Sequence, residues 1–200
     1  PSAEDDAEVF HDIAAVYLGK KQIQGYCDAM ESAICINSRK YSFLLEIGRV
    51  LYRTKDSRRA IYYLEKYQSA QGEELKELDV LTMLAGLSEA AGKYVDAQKY
   101  YQLYLEKKKD DGFIHFALGD IACHRTGNFK LSESELRKAV NLLPDTEIYR
   151  KAKAYEYIGD MAFDLLKYDQ AESAYLETIR FQDQVLSEIG KNDRELDRIN

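Results

Sequence analysis

The chain has 200 residues, and its hydrophobic content of 46% is sufficient to bury a core, which excludes a disordered chain. Its formal net charge of −7 argues against a nucleic-acid partner, because an acidic surface repels phosphate backbones. No segment approaches the roughly twenty apolar residues that span a bilayer, so direct membrane insertion is not expected.

A pair of small residues recurs along the chain. In each pair a small residue follows an apolar one, and a second small residue stands about twelve positions later. In chain order the pairs are Ala14 with Ala29, Gly48 with Ala60, Ala85 with Ala97, Gly119 with Ser132, and Gly159 with Ala171. The first positions lie 34, 37, 34 and 40 residues apart, close to a repeat period of about 34.

Small residues at these positions allow two antiparallel helices to cross closely, and bulky residues beside them fill the remaining space. A bulky residue follows the second small position by four in most repeats. Gly92 and Gly127 stand where a turn between two helices is needed. Each helix pair leaves one face uncovered, so neighbouring pairs must stack. The bulky residues four positions after the second small residue are Leu64, Tyr101, Leu136 and Tyr175.

The repeat predicts five helix pairs in a single superhelical domain that covers residues 1–200. Pro144 to Glu147 is typical of a helix stop followed by a helix cap. Gly190 is expected to end the last helix, which leaves residues 188–200 as a charged capping segment or a frayed end. The predicted pairs cover about residues 5–37, 40–70, 76–108, 112–143 and 147–187.

These positions resemble the tetratricopeptide repeat (TPR) family over roughly residues 8–186, most fully around Ala97 and Ala171. The resemblance implies an all-α, right-handed α-solenoid of about five antiparallel helix pairs plus a C-terminal capping segment. It also implies a protein–protein interaction scaffold or adaptor that binds a partner peptide or helix in its concave groove. Other superhelical repeats of helix pairs are the structural alternative.

The resemblance places ligand contacts on the first helix of each pair, at offsets that share one helix face. Arg49 and Arg53 make one end of this stripe basic, whereas the other end combines aspartates with phenylalanines, a mixture typical of binding hot spots. Packing of the phenylalanines between repeats is the alternative. The predicted partner-binding residues are Arg49, Tyr52, Arg53, Phe116, Asp120, His124, Lys153, Glu156, Asp160, Phe163 and Asp164.

No motif in the sequence indicates catalysis, a cofactor or a metal. Phosphate-loop, Gly-x-Gly-x-x-Gly and His-Glu-x-x-His signatures are missing. His115 and Cys123 are eight residues apart and His124 points in another direction, so neither a metal site nor a nucleophile–base pair is expected. A chaperone-type carboxylate clamp is not expected either, because only Arg49 suits it. The protein is predicted to be no enzyme and to need no cofactor.

Three cysteines cannot all pair within the chain, and Cys27 and Cys35 lie about 12 Å apart along one helix, too far for a disulfide. We expect these two and Cys123 to be reduced and to pack as small hydrophobic side chains. Reduced cysteines favour a cytoplasmic location. The polar, acidic start of the chain does not resemble a signal peptide.

Structural self-assembly within a larger complex is the alternative function. Five tyrosines lie on predicted second helices, where most are expected to pack with their hydroxyls at the rim. A minority would form an exposed aromatic strip through which the chain forms a homo-oligomer. The five tyrosines on the predicted second helices are Tyr62, Tyr63, Tyr100, Tyr101 and Tyr104.

Overall fold

The computed structural model describes the backbone of residues 3–71 and 77–199 and the side chains of residues 4–70 and 77–187. Within these ranges the chain forms ten α-helices and no strand, which confirms the all-α prediction. It divides into two compact units, Pro1–Gly92 and Lys93–Asn200. The helices are α1 (Ala3–Gly19), α2 (Ile23–Ile36), α3 (Ser42–Arg53), α4 (Ser57–Gln71), α5 (Leu78–Ala90), α6 (Tyr94–Lys107), α7 (Gly112–His124), α8 (Phe129–Leu142), α9 (Ile148–Asp164) and α10 (Tyr168–Ile199).

The first four predicted pair ranges each hold two helices whose bounds agree with the prediction to within a few residues. The fifth range is too short, because the backbone of α10 stays helical through Gly190 to Ile199. The predicted break of the helix at Gly190 is therefore wrong, whereas the separate capping role of residues 188–200 stays a prediction. A glycine inside a helix costs only about 1 kcal/mol, which does not end a helix by itself. The assignment of the whole chain to one domain stays a prediction.

In the first unit α1 packs against α2 and α3 packs against α4, while α2 contacts α3 and α4 contacts α5. Tyr26, Ile47, Leu51 and Leu64 are fully buried in this unit. Each such side chain contributes about 1.5–3 kcal/mol when it leaves water. The helices are thus held by their apolar faces rather than by helix propensity alone.

In the second unit α7 packs against α8 and α9 packs against α10. Further contacts join α6 to α7, α8 to α9, and α7 to α9. The contact of α7 with α9 brings the first helices of two successive pairs side by side, where the candidate site lies. One buried cluster of the unit consists of Leu136, Ala154, Ile158, Met161 and Ala174.

The small residues of the repeat lie at close helix crossings. A Cβ on Gly48 would come within 2.7 Å of the Leu64 side chain, and a Cβ on Gly119 within 2.7 Å of Leu136. A Cβ on Gly159 would come within 2.6 Å of the Tyr175 ring. Because real Cβ atoms do not approach this closely, a larger residue at these crossings would force the facing side chain to shift. The predicted pairing of small and bulky residues is confirmed here. 

The turns inside the pairs require a left-handed backbone. Gly92 and Gly127 adopt φ values of 73° and 66°, as their positions in the sequence predict. Lys21, Lys55 and Leu166 adopt φ values of 57°, 63° and 58° at the corresponding turns of other pairs. A residue with a Cβ pays roughly 1–2 kcal/mol for this conformation, so these three turns hold local strain.

The three thiols are free, as expected, but they are not packed alike. Cys27 is buried in α2 and Cys123 is half-buried in α7. Cys35 is exposed near the end of α2, so the prediction that all three pack as small hydrophobic side chains is wrong for this residue. Cys35 lies eight residues after Cys27, about two turns and 80° further round the helix, beyond the buried face.

Candidate partner-binding face

Two neighbouring first helices, α7 and α9, bring together most of the predicted binding residues of the second unit. Phe116, Asp120 and His124 lie one turn apart along α7. The predicted residues of α9 follow the same helical spacing. Phe113 of α7 and Arg150 of α9 extend the surface, because the guanidinium of Arg150 lies 5.2 Å from the ring centroid of Phe113. We define the α7–α9 face as Phe113, Phe116, Asp120, His124, Arg150, Lys153, Glu156, Tyr157, Asp160 and Asp164.

Tyr157 stands at the centre of the α7–α9 face. Its ring centroid lies 6.3 Å from that of Phe116, with the planes 29° apart, and 4.4 Å from that of His124 in an edge-on contact. The ammonium of Lys153 lies 5.9 Å from the same ring. Tyr157 was not among the predicted residues, although it lies four residues after Lys153 and three before Asp160. That helical spacing is the signal that could have identified it.

Three carboxylates lie near one half-buried thiol on this face. Burial raises the pKa of the Cys123 thiol, the hydrogen bond with Ser132 opposes this, and the charges of Asp120, Asp160 and Asp164 raise it further. The three aspartates come from two helices and two successive repeats. The local potential is therefore negative, and it favours a positively charged group on a ligand.

Two of these aspartates are also oriented by neighbouring side chains. Asp120 lies 2.8 Å from Nδ1 of His124. Asp160 accepts a hydrogen bond of 2.8 Å from the hydroxyl of Tyr175, and this bond, with burial second, raises the pKa of Tyr175 to about 12. Lys153 pairs with Glu156 at 2.9 Å, which offsets one further negative charge. Ordered carboxylates pay less entropy when a cation binds.

Phe163 does not join the α7–α9 face. Its ring meets Tyr168 at the start of α10, with centroids 5.7 Å apart and planes at 67°. Phe163 is 54% exposed, and it lines an open cavity of about 410 Å³ with Tyr168, Leu176 and Ile179. Its offset from Gly159 predicts the correct helix, but the side chain lies on the side towards α10.

The predicted basic residues lie in the first unit, on α3. Arg49 pairs with two carboxylates of that unit, Glu77 at 3.2 Å and Asp79 at the start of α5. Its charge is thus largely offset within the chain. Tyr52 and Arg53 are exposed on the same helix. Their role as partner contacts stays a prediction.

The tyrosines of α4 and α6 mostly pack, as expected. Tyr63, Tyr101 and Tyr104 are buried. Tyr63 donates to Glu31 at 2.6 Å, and Tyr104 donates to Asp111 at 2.8 Å. Of the five tyrosines considered, only Tyr62 has half of its surface exposed. These five tyrosines therefore do not form an exposed aromatic strip.

His115 forms a buried ion pair that the sequence did not indicate. Its Nδ1 lies 2.5 Å from Glu135 and its Nε2 lies 2.7 Å from the carbonyl oxygen of Lys109. Both partners can accept, so a protonated imidazole, with a hydrogen on each ring nitrogen, satisfies both bonds. Burial lowers the pKa of His115, but the bonds to Glu135 and Lys109 outweigh it and raise the pKa overall.

Two absences concern the described part of the chain only. Among residues 4–70 and 77–187, no group of three or more His, Cys, Asp or Glu side chains is placed to hold a metal ion. In the same described ranges, no helix is both long enough and apolar enough to cross a membrane.

Comparison with known proteins identifies the fold. No protein-family model and no curated protein sequence matches the chain. A crystal structure of MamA aligns with a TM-score of 0.66 at 14% identity, over 90% of this chain and 94% of that one. YrrB, described as a TPR protein with an unusual peptide-binding site, aligns with a TM-score of 0.65 at 17% identity, over 92% and 90%.

A third structure covers the C-terminal part of a TPR repeat-containing protein from Cytophaga hutchinsonii. It aligns with a TM-score of 0.66 at 16% identity, over 88% of this chain and 69% of that one. At such identities the likeness concerns the fold alone. The chain therefore has the all-α solenoid fold of TPR proteins.

Proposed function

We propose that the chain is a non-enzymatic interaction scaffold whose α7–α9 face binds a peptide segment of a partner protein. The observation that carries this proposal is the convergence of Asp120, Asp160 and Asp164 beside the ring cluster around Tyr157. The peptide-binding description of the structural neighbour YrrB supports the choice of a peptide as ligand.

The chemistry of the face selects a segment with both positive and apolar residues. A Lys or Arg side chain of the ligand can lie between the carboxylates and stack on an aromatic ring, an arrangement that contributes about 0.5–2 kcal/mol. Phe116 and Tyr157 supply half-buried ring surface that an apolar ligand residue would cover. Salt should weaken binding, since Asp160 and Asp164 are exposed and Asp120 is only half-buried.

Rigid support favours binding by a preformed surface. The buried residues Ile158 and Met161 anchor α9, and Leu118 anchors α7, so the ligand-facing side chains stand on packed helices. Arg49, Tyr52 and Arg53 are proposed as additional contacts on the first unit. Because the charge of Arg49 is already offset by Glu77 and Asp79, Arg53 is the residue of this pair that would attract an acidic ligand group more strongly.

The test begins with peptides selected from a random library against the immobilised full chain. Selected peptides should carry Lys or Arg next to aromatic or aliphatic residues. The double substitution Asp160→Asn/Asp164→Asn should weaken their binding about tenfold or more, the equivalent of about 1.4 kcal/mol. Fluorescence anisotropy at two salt concentrations measures both effects.

A matched control makes the same charge change elsewhere in the second unit. Asp96→Asn/Asp183→Asn removes two exposed carboxylates from α6 and α10 and should leave the affinity unchanged. Equal weakening by both double variants would mean that net charge, not this face, governs binding. Selection of acidic or purely apolar peptides would overturn the proposed ligand class.

A further inference from the structure

The first helix of the chain exposes an apolar stripe. Val9 is 56%, Ile13 is 40% and Val16 is 56% exposed on α1. These residues stand five before, one before and two after the first small residue, Ala14. They therefore share one face of the helix, apart from the face that packs on α2.

The same three positions are buried in α3, α5 and α9, and two of the three are buried in α7, where Ile114 is half-buried. In α9 they hold Ala154, Ile158 and Met161, which are 0%, 3% and 3% exposed. This face of α9 packs against α8, the second helix of the preceding pair. The corresponding residues of α3 are Phe43, Ile47 and Val50, at 2%, 0% and 3%. The stripe on α1 is thus the kind of surface that elsewhere docks on a preceding pair.

The last pair exposes the opposite half of such an interface. Cys123, Phe129 and Val140 of the fourth pair pack against the buried cluster that includes Ile158 and Met161. The residues at the same repeat positions in the fifth pair are apolar too, but they are uncovered. They are Phe163, Tyr168 and Ile179, which are 54%, 57% and 52% exposed.

We propose that these two surfaces bind each other between molecules, so that α1 of a second copy docks on the α9–α10 surface of the first. Val9, Ile13 and Val16 of one copy would pack on the Phe163 and Tyr168 rings of the other. Within the chain, Ala154, Ile158 and Met161 make the equivalent contact with the fourth pair. This contact is heterologous: two different surfaces meet, and each molecule keeps one surface open for a further copy.

Charge complementarity supports a second copy as the occupant. Within the chain, Leu165 and Lys167, just past the end of α9, line one cavity with Lys130 and Glu133 at the start of α8. The equivalent ends in the proposed contact carry opposite charges. Exposed Lys20 and Lys21 directly follow α1, and exposed Asp169 and Glu172 lie in the first turns of α10. Rim charges of this kind fix register and favour the correct partner.

The self-association is independent of the α7–α9 face. None of the residues of the proposed peptide site lies in the stripe on α1 or in the set Phe163, Tyr168 and Ile179. Peptide binding by a strict monomer would therefore leave the proposed function intact and overturn only the self-association.

The experiment is sedimentation equilibrium of the full chain and of two surface variants. Val9→Ser/Val16→Ser removes the stripe on α1, and Tyr168→Ser/Ile179→Ser removes the surface on α10. All four residues are exposed, so both variants should fold, which circular dichroism checks. The wild-type mass should rise beyond that of a dimer with concentration. Each variant alone should remain monomeric.

Mixing the two variants is the decisive step. Each retains the surface that the other lacks, so an equimolar mixture should form a one-to-one dimer and nothing larger. A monomeric wild type at all concentrations would overturn the proposal. So would a variant that still self-associates, since the contact would then join two like surfaces, or a mixture that stays monomeric.

Discussion

Replacement of Gly119 by alanine separates close helix packing from helix propensity. A Cβ at this position would lie 2.7 Å from Cγ and 3.2 Å from the backbone nitrogen of Leu136. Leu136 is fully buried within the cluster that joins α8 to α9 and α10. Ser132 also donates a hydrogen bond of 2.7 Å to the carbonyl oxygen of Gly119, which holds α8 close to α7.

Two opposing terms set the expected size of the effect. Alanine gains about 1 kcal/mol over glycine in a helix interior, whereas an extra carbon in a packed core costs about 1–3 kcal/mol. Rotation of the Leu136 side chain cannot relieve the whole clash, because its backbone nitrogen is also close. The cost should therefore approach the upper end of its range. We expect Gly119→Ala to lower the free energy of unfolding by about 1–2 kcal/mol.

Urea unfolding followed by far-ultraviolet circular dichroism measures this change, and Gly86→Ala is the matched control. Gly86 lies inside α5, is exposed, and would place its Cβ within 4 Å of nothing. That variant should gain about 0.5–1 kcal/mol. In the double variant Gly119→Ala/Leu136→Ala the costs should be less than additive. If Gly119→Ala stabilised the chain as Gly86→Ala does, the close-crossing account would be refuted.

Three further predictions concern stability. The raised pKa of His115 stabilises the fold fully below the unfolded value of 6.5, so the free energy of unfolding should fall as pH rises from there through the folded pKa. His115→Asn should flatten this dependence in pH-resolved urea titrations, and an unchanged slope would contradict the protonated pair. Lys55→Gly relieves a backbone φ of 63°, so it should increase the free energy of unfolding by about 0.5–1 kcal/mol and raise the thermal midpoint. A lower midpoint would show that the turn is unstrained. Ser132→Ala should cost about 1 kcal/mol in urea unfolding, and no loss would mean that its hydrogen bond to Gly119 contributes little.

The helix pairs could be predicted because close crossings require small residues at fixed intervals. Gly159 and Tyr175 illustrate this: their spacing alone placed them at one crossing, and a Cβ at Gly159 would meet that ring. The helical path through Gly190 could not be predicted from residue type. One glycine does not decide a helix end, and the sum of neighbouring preferences does.

Site geometry was harder to predict, because it depends on which helices become neighbours and which way side chains turn. Arg49 meets Glu77 and Asp79 across some thirty residues, and no local pattern indicates that pairing. Offsets from a repeat position selected Asp160, which lies near the Cys123 thiol with Asp120 and Asp164. They also selected Phe163, whose ring instead meets α10.

The most direct test of the proposed binding face is an amide chemical-shift map recorded with a selected cationic, aromatic peptide on the labelled full chain. The largest shifts should fall on α7 and α9, centred on Asp120, Tyr157 and Asp160, and Asp160→Asn/Asp164→Asn should reduce them at equal peptide concentration. Shifts concentrated on α8 and α10, with α7 and α9 unaffected, would contradict the proposed binding face.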